Sequence, residues 1–385
     1  MTVEKTKVLM IGPRYKEGFP VGGTVALFEL CLAKLSDCPE LAITFVSTRR
    51  KNANRFRQLL ESILITFHIW VKIPFCDVVF LFVATSSLST SLKWISPVTR
   101  FLGKRLVVKK FGGRSHRELK AQTGYVPTTL RSPSELHNII SLLRRANLYM
   151  PETRHASEHG ISDGIPTIWV PNLRELPQHS TKERQKTPRK GFSLLYVGIV
   201  MPEKGIREII AADPLLKPGI TIDVYGGFQG MSLDDFAELK QVRYCGELKK
   251  EDVIPTMQQY DAFIFPSYHS GEGHPGALIE AFAAGLPAIT TNWLFICEVA
   301  SDENSLIIET QNVTQLVEAI HRLAGDPELR ETLAKNALER SRFFDADRWV
   351  EVIRTCIVSI AKGEAVSDQY HVPGLSEPVI VPQKL

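Results

Sequence analysis

Apolar, β-branched runs of strand length alternate along the chain with longer stretches of helical period. In the first half the strand-like runs are KVLMIG (7–12), AITFVS (42–47), DVVFLFVA (77–84), RLVVKKF (105–111) and NLYMP (147–151). Helical patterns such as TVALFELCLAKL (24–35) and SELHNIISLLRRA (134–146) lie between them. Unbroken apolar strands separated by helices predict parallel strands covered on both faces. A polar, aperiodic stretch, RELPQHSTKERQKTPRK (174–190), reads as a linker. The alternation restarts with FSLLYVG (192–198), TIDVYGG (221–227), VRYCG (242–246), AFIFPS (262–267) and PAITT (287–291), and the pattern is helical from 312 onward. The expectation is an α/β chain of two tandem, doubly wound parallel-sheet domains, 1–173 and 191–345. A helix at 346–362 is expected to pack back on the first domain, and 363–385 reads as a tail.

Composition supports a folded, two-domain protein: 385 residues, 44% apolar and 23% charged. Its six cysteines (Cys31, Cys38, Cys76, Cys245, Cys297, Cys356) are scattered without a CxxC pair. That favours a reducing compartment and argues against a structural zinc. The start, MTVEKTKVLMIGP, lacks the apolar core of a signal peptide. The most apolar stretch, 62–84, is interrupted by Lys72, Pro74 and Asp77, so it reads as a helix end followed by a buried strand. A cytoplasmic protein is expected. Charge is unevenly spread: residues 1–190 hold 30 Lys/Arg against 14 Asp/Glu, whereas 191–385 hold 16 against 28. Either the first half faces something anionic, or the two domains attract each other.

Three places could carry chemistry. Gly22 and Gly23 directly precede a helical pattern, where backbone can approach a ligand and a helix N-terminus offers N–H groups to an anion. The surroundings fit neither GxGxxG nor a Walker A loop, and taken alone the glycines read first as an ordinary strand–helix turn. In YVGIVMPEKGIREII (196–210) a strand ends at Gly198 and a loop presents Lys204, well placed to neutralise phosphate. In FPSYHSGEGHPGALIEAFAAGLPAI (265–289), a strand, a loop and a helix carry Glu272 and Glu280 with seven residues between them. Wholly helical spacing would set their α-carbons about 12 Å apart. Carboxyls that share a glycosidic bond stand roughly 5–9.5 Å apart. The spacing fits two grips on one long ligand better than an acid/base pair. Glu280 also sits in an apolar run, where a charge needs a partner.

Together these residues resemble the retaining GT-B glycosyltransferases of family 4, most specifically at 196–205 and 261–291. The resemblance rests on the E-x7-E pair Glu272/Glu280, the following EAFAAGLP, the PEKG loop, Gly22-Gly23, DVVFLF and VPN (170–172). It implies two Rossmann-like domains with a cleft between them and a nucleotide-sugar donor, UDP- or GDP-linked, as substrate. Glu280 would hold the ribose hydroxyls and Glu272 the hydroxyls of the transferred sugar. Lys204 would neutralise the diphosphate. Gly22, Gly23, Gly198, Gly273, His274, Gly276, Ala277 and Leu278 would complete the donor site, largely through backbone. Family members usually carry arginine after the glycine of the VG strand, but this chain has Ile199. The usual EGFG reads Glu272-Gly273-His274-Pro275, and proline lacks an N–H donor. His116, after FGGRS (111–115), is the candidate for the family's active-site histidine; the alternative is an exposed loop histidine.

The resemblance also implies a glycan or lipid-linked acceptor and surface-polysaccharide synthesis. Catalysis would come from positioning and phosphate-charge stabilisation, with no cofactor and no metal. DAD (345–347) has DxD spacing but lies between helical stretches, as a helix start would. The stretch 48–73 joins basic residues to an apolar helical run, so it either lies on anionic lipid at the inner membrane face or packs on the sheet. A catalytically impaired nucleotide-sugar-binding protein is the alternative function. No nucleic-acid motif is present in the sequence.

Overall fold

The computed structural model describes residues 4–15, 23–49, 54–120, 128–177, 191–364, 369–370 and 379–380. Gly22, residues 178–190 of the expected linker and most of the expected tail lie outside the described residues. The chain forms two compact units, Met1–Glu175 with Ala346–Leu385, and Leu176–Asp345.

In unit 1, strands β1 (Thr6–Gly12), β2 (Leu41–Ser47), β3 (Val78–Ala84) and β4 (Arg105–Phe111) arise where the apolar runs predict them. A short antiparallel pair follows, β5 (Glu118–Lys120) with β6 (Thr128–Leu130), and then β7 (Leu148–Pro151). The main sheet is all parallel in the order β2-β1-β3-β4-β7. Its core includes Leu9, Val79, Leu81, Leu106, Val108 and Tyr149 from the strands, closed by helix residues such as Leu92, Ile95 and Ile139. The helix Ala346–Lys362 belongs to this unit. Its fully buried Trp349 meets Trp169 edge to face at 5.9 Å. Asp347 of the DAD triplet is in its first turn, 2.5 Å from Lys34 Nζ.

Unit 2 holds β8 (Phe192–Val197), β9 (Ile220–Tyr225), β10 (Val242–Tyr244), β11 (Ala262–Phe265), β12 (Ala288–Thr291) and β13 (Ser305–Ile308). They form a six-stranded parallel sheet in the order β10-β9-β8-β11-β12-β13. The pattern reading found five of these. It missed β13, four residues that begin straight after the polar Ser301–Asn304.

Strand order decides where a ligand can sit, because the chain leaves neighbouring strands in opposite directions where the order reverses. In unit 1 the reversal falls between β1 and β3, and β1 leads to Gly23, the first residue of the helix Gly23–Ser36. In unit 2 it falls between β8 and β11. Those are the strands that feed the Lys204 and Glu272 loops.

The helix Arg55–Lys72 corrects one alternative, that of an apolar run packed on the sheet with only a basic edge exposed. Asn54 caps it by accepting from the Phe56 N–H at 3.0 Å. Only a narrow face, Ile65, Ile69 and Trp70, meets the core. Phe56, Leu59, Leu60, Ile63, Leu64, Phe67 and Val71 recur at helical spacing and point outward, with Leu64 66% and Phe67 62% exposed. Trp94 and Phe101 of the helix Leu88–Phe101 are exposed as well. Among the described residues, no helix is long and apolar enough to cross a membrane.

Candidate active site

The site in unit 2 is built from the carboxyl ends of β8 and β11. After β8 the chain passes Gly198 and Ile199, whose carbonyl accepts from Tyr196 Oη at 2.8 Å. A single 3-10 turn, Pro202–Lys204, then presents Lys204, and the helix Ile206–Ala212 begins after Gly205. Gly205 has φ 80, and a Cβ there would lie 2.3 Å from the Pro266 carbonyl oxygen. Only glycine allows this left-handed turn to rest directly on the β11 loop. A backbone hydrogen bond from Tyr268 N–H to Glu203 O, 2.9 Å, ties the two loops together.

That closeness brings Lys204 Nζ onto Glu272 Oε1 as an ion pair. Ser267 donates its hydroxyl to the same oxygen at 2.7 Å. Glu272 is 6% exposed, while Lys204 lies 5.4 Å from the centre of the Phe265 ring. A charge-assisted pair in so dry a place is strong and directional. The same Ser267 accepts Thr291 Oγ1 on its carbonyl at 2.5 Å, so β12 also braces the loop.

After Glu272 come the buried Gly273 and His274, then Pro275 as the residue before the helix Gly276–Ala283. His274 Nε2 is 2.9 Å from Glu298 Oε2, and its ring stands edge-on to Phe344 at 5.8 Å. The helix buries Leu278, Ile279, Ala281, Phe282 and Ala283. Gly276, Ala277 and Glu280 stay half-buried, so its N-terminal amides and one carboxylate share the less covered face. Ile199 is 40% exposed.

The structure thus gathers Lys204 and Glu272 in one cluster of unit 2, with Gly273, His274 and the helix carrying Gly276, Ala277, Leu278 and Glu280 directly following. It places His116 and Gly23 in unit 1. His116 is not the exposed loop histidine of the alternative reading. It is fully buried, with Nε2 2.7 Å from Asp163 Oδ2. Burial pushes its pKa down to about 4, although Asp163 opposes the shift. Pattern reading missed Ser267 and Glu298, whose roles come from partners 5 and 24 residues away. It also left Arg174 in the linker, whereas Arg174 is buried and bonded to Asn172 Oδ1 at 2.7 Å. Its guanidinium lies 4.0 Å from where a Gly23 Cβ would stand. A cation beside a helix N-terminus was invisible in the sequence.

Residues 178–340 match the family described as glycosyl transferases group 1. The chain is 32% identical over 165 residues to a glycogen synthase of Mycobacterium tuberculosis, covering 40% of this chain and 39% of that protein. It is 28% identical over 189 residues to the capsular polysaccharide biosynthesis glycosyltransferase CapM of Staphylococcus aureus, covering 46% of this chain and 49% of that one. The chain therefore spans less than half the length of these curated relatives. Among solved structures, Anabaena HepE in complex with UDP superposes with a TM-score of 0.66, covering 92% of this chain and 100% of HepE at 15% identity. The fold is the GT-B kind, two parallel-sheet α/β units.

Proposed function

We propose that the chain is a retaining glycosyltransferase of family 4 that moves a sugar from a nucleotide-sugar donor to a glycan or lipid-linked acceptor. One observation carries the reading: Lys204, Glu272 and Ser267 form a buried cluster at the strand-order reversal of unit 2, directly before a helix bearing Glu280. A diphosphate is the natural competitor for Lys204, and it frees Glu272 to accept hydroxyls of the transferred sugar. Glu280 takes the ribose hydroxyls, and the backbone of 273–278 adds donors at the helix start. Lys204 and these amides stabilise charge on the departing diphosphate, which in turn takes the proton of the incoming hydroxyl on the same sugar face. UDP is the favoured nucleotide, in line with the ligand of HepE. GDP is the second choice.

The donor step needs no metal on this reading, because Lys204 supplies the cation. Full turnover in EDTA is the expected result, and activity restored only by Mn²⁺ contradicts it. Unit 1 takes the acceptor, and its outward apolar stripe rests on the cytoplasmic face of an anionic membrane. Co-sedimentation with anionic vesicles is expected to disappear in Ile63→Asp/Phe67→Asp; sedimentation that is equal in the variant contradicts this contact.

A second reading, a nucleotide-sugar binder without turnover, draws on the exposed Ile199 where the family carries arginine, and on Pro275 without an N–H. Donor binding by the wild type with no transfer or donor hydrolysis, at any acceptor, would favour it.

A further inference from the structure

Unit 1 contains a second cluster of chemistry-bearing side chains that the transfer reaction does not use. His155 and His159 stand four residues apart on the helix Arg154–Ser162, so they share one face. Their rings meet edge to face at 4.4 Å. The helix start is held by Thr153, whose hydroxyl accepts from the Ala156 N–H at 3.2 Å. Facing them is Glu118, the first residue of β5. One of its oxygens accepts from the Ser115 N–H at 2.7 Å, and the other lies 2.9 Å from His155 Nε2.

We propose that Glu118, His155 and His159 bind one divalent transition-metal ion, with zinc preferred. One donor atom of each residue lies within 4.8 Å of the other two. Around a tetrahedral zinc with bonds of about 2.0–2.2 Å, donor atoms stand about 3.3–3.6 Å apart. Small side-chain rotations therefore close the cluster, and the capped helix keeps the two imidazoles in place. Two imidazoles and a carboxylate form a donor set suited to zinc, with water completing the shell. The hydrogen bonds of the fold do not account for His159, whose Nδ1 is buried without a partner. Nor does a simple Glu118–His155 ion pair call for a second imidazole four residues on. The ion would fasten the segment after β4 to the helix after β7, both within unit 1. The inference stands apart from the donor reading, whose residues are in unit 2.

The test uses the full chain, stripped by chelator and desalted, then titrated with Zn²⁺ by calorimetry and with Co²⁺ by visible absorption. Wild type is expected to take up one equivalent of zinc and to melt at a higher temperature once loaded. His155→Gln, His159→Gln and Glu118→Gln are each expected to weaken binding about 10–100-fold, on the scale of disturbed metal shells. His155→Gln keeps a hydrogen-bonding group toward Glu118, so it separates the ion pair from ligation. Equal uptake by wild type and His159→Gln, or no uptake by wild type, overturns the proposal. Should a variant fail to fold, zinc protection of His155 and His159 from diethyl pyrocarbonate in the wild type decides instead. Protection of both supports the site, and modification unaffected by zinc refutes it.

Discussion

Both units bring lysines to the carboxyl ends of parallel strands, and the two sets live in opposite circumstances. In unit 2, Lys204 sits on a loop, partly open, and pairs with the Glu272 carboxylate. In unit 1, Lys109 and Lys110 are consecutive residues of β4, so they point to opposite faces of the sheet, and both are fully buried. Lys109 donates to the Val170 carbonyl, and Lys110 to the Gly112 carbonyl at 2.8 Å. Burial pushes Lys109 down to about 8 and Lys110 to about 7, with Glu152 partly opposing. On the proposed function, the lysine that grips an anion is the one kept reachable, with a side-chain partner it can exchange. A lysine locked onto backbone carbonyls serves the fold.

The largest test of that contrast is activity. Lys204→Ala and Glu272→Ala are each expected to lower kcat/KM about 10²–10³-fold, the scale of losing one group that acts in the transition state. Lys110→Met should leave donor affinity unchanged; a comparable activity loss there would erase the distinction between the two sets. Next in size is Gly205→Ala. At φ 80 and against Pro266 it is expected to destabilise unit 2 by about 2–3 kcal/mol, read from urea unfolding. Glu280→Gln is milder: about a tenfold rise in donor KM with kcat nearly kept, as for a lost ground-state hydrogen bond.

The last test is the pH slope of stability. Both buried lysines lie below the ordinary 10.5, so between pH 8 and 9 the unfolded chain binds more protons than the folded one. Stability is expected to rise with pH across that window, and Lys109→Met/Lys110→Met should flatten the rise. Above pH 9 the buried Cys31 thiol, pushed up to about 12, works the other way, so the measurement stops there. A slope identical in the double variant would remove the lysines from the explanation.

Much of the fold was legible because apolar runs of four to eight residues fix strands almost independently of context. β3 and β4 fall where DVVFLFVA and RLVVKKF predict them, even with two lysines in the latter. The positions of Lys204 and Glu272 were legible because glycine and proline mark the loops that carry them, and that of Glu280 because Gly285 and Pro287 end its helix. What escaped depends on partners distant in sequence. Ser267 matters through Glu272, Glu298 through His274, and Arg174 through Gly23, and no local spacing announces any of these. The stripe on Arg55–Lys72 was visible as a period, but a period does not say which way a face turns. His116 was visible as a histidine near a glycine turn, while its burial against Asp163 was not.

The central claim is that Lys204 and Glu272 hold the diphosphate and sugar of one donor. It is tested most directly by titrating wild type, Lys204→Ala and Glu272→Ala with UDP-, GDP- and ADP-sugars in EDTA by calorimetry. The expected result is one nucleotide sugar bound by wild type, at least about tenfold more weakly by either variant. Lys204→Ala should also weaken the free nucleoside diphosphate, whereas Glu272→Ala should spare it. No nucleotide sugar bound by the wild type, or equal binding by all three proteins, contradicts the claim.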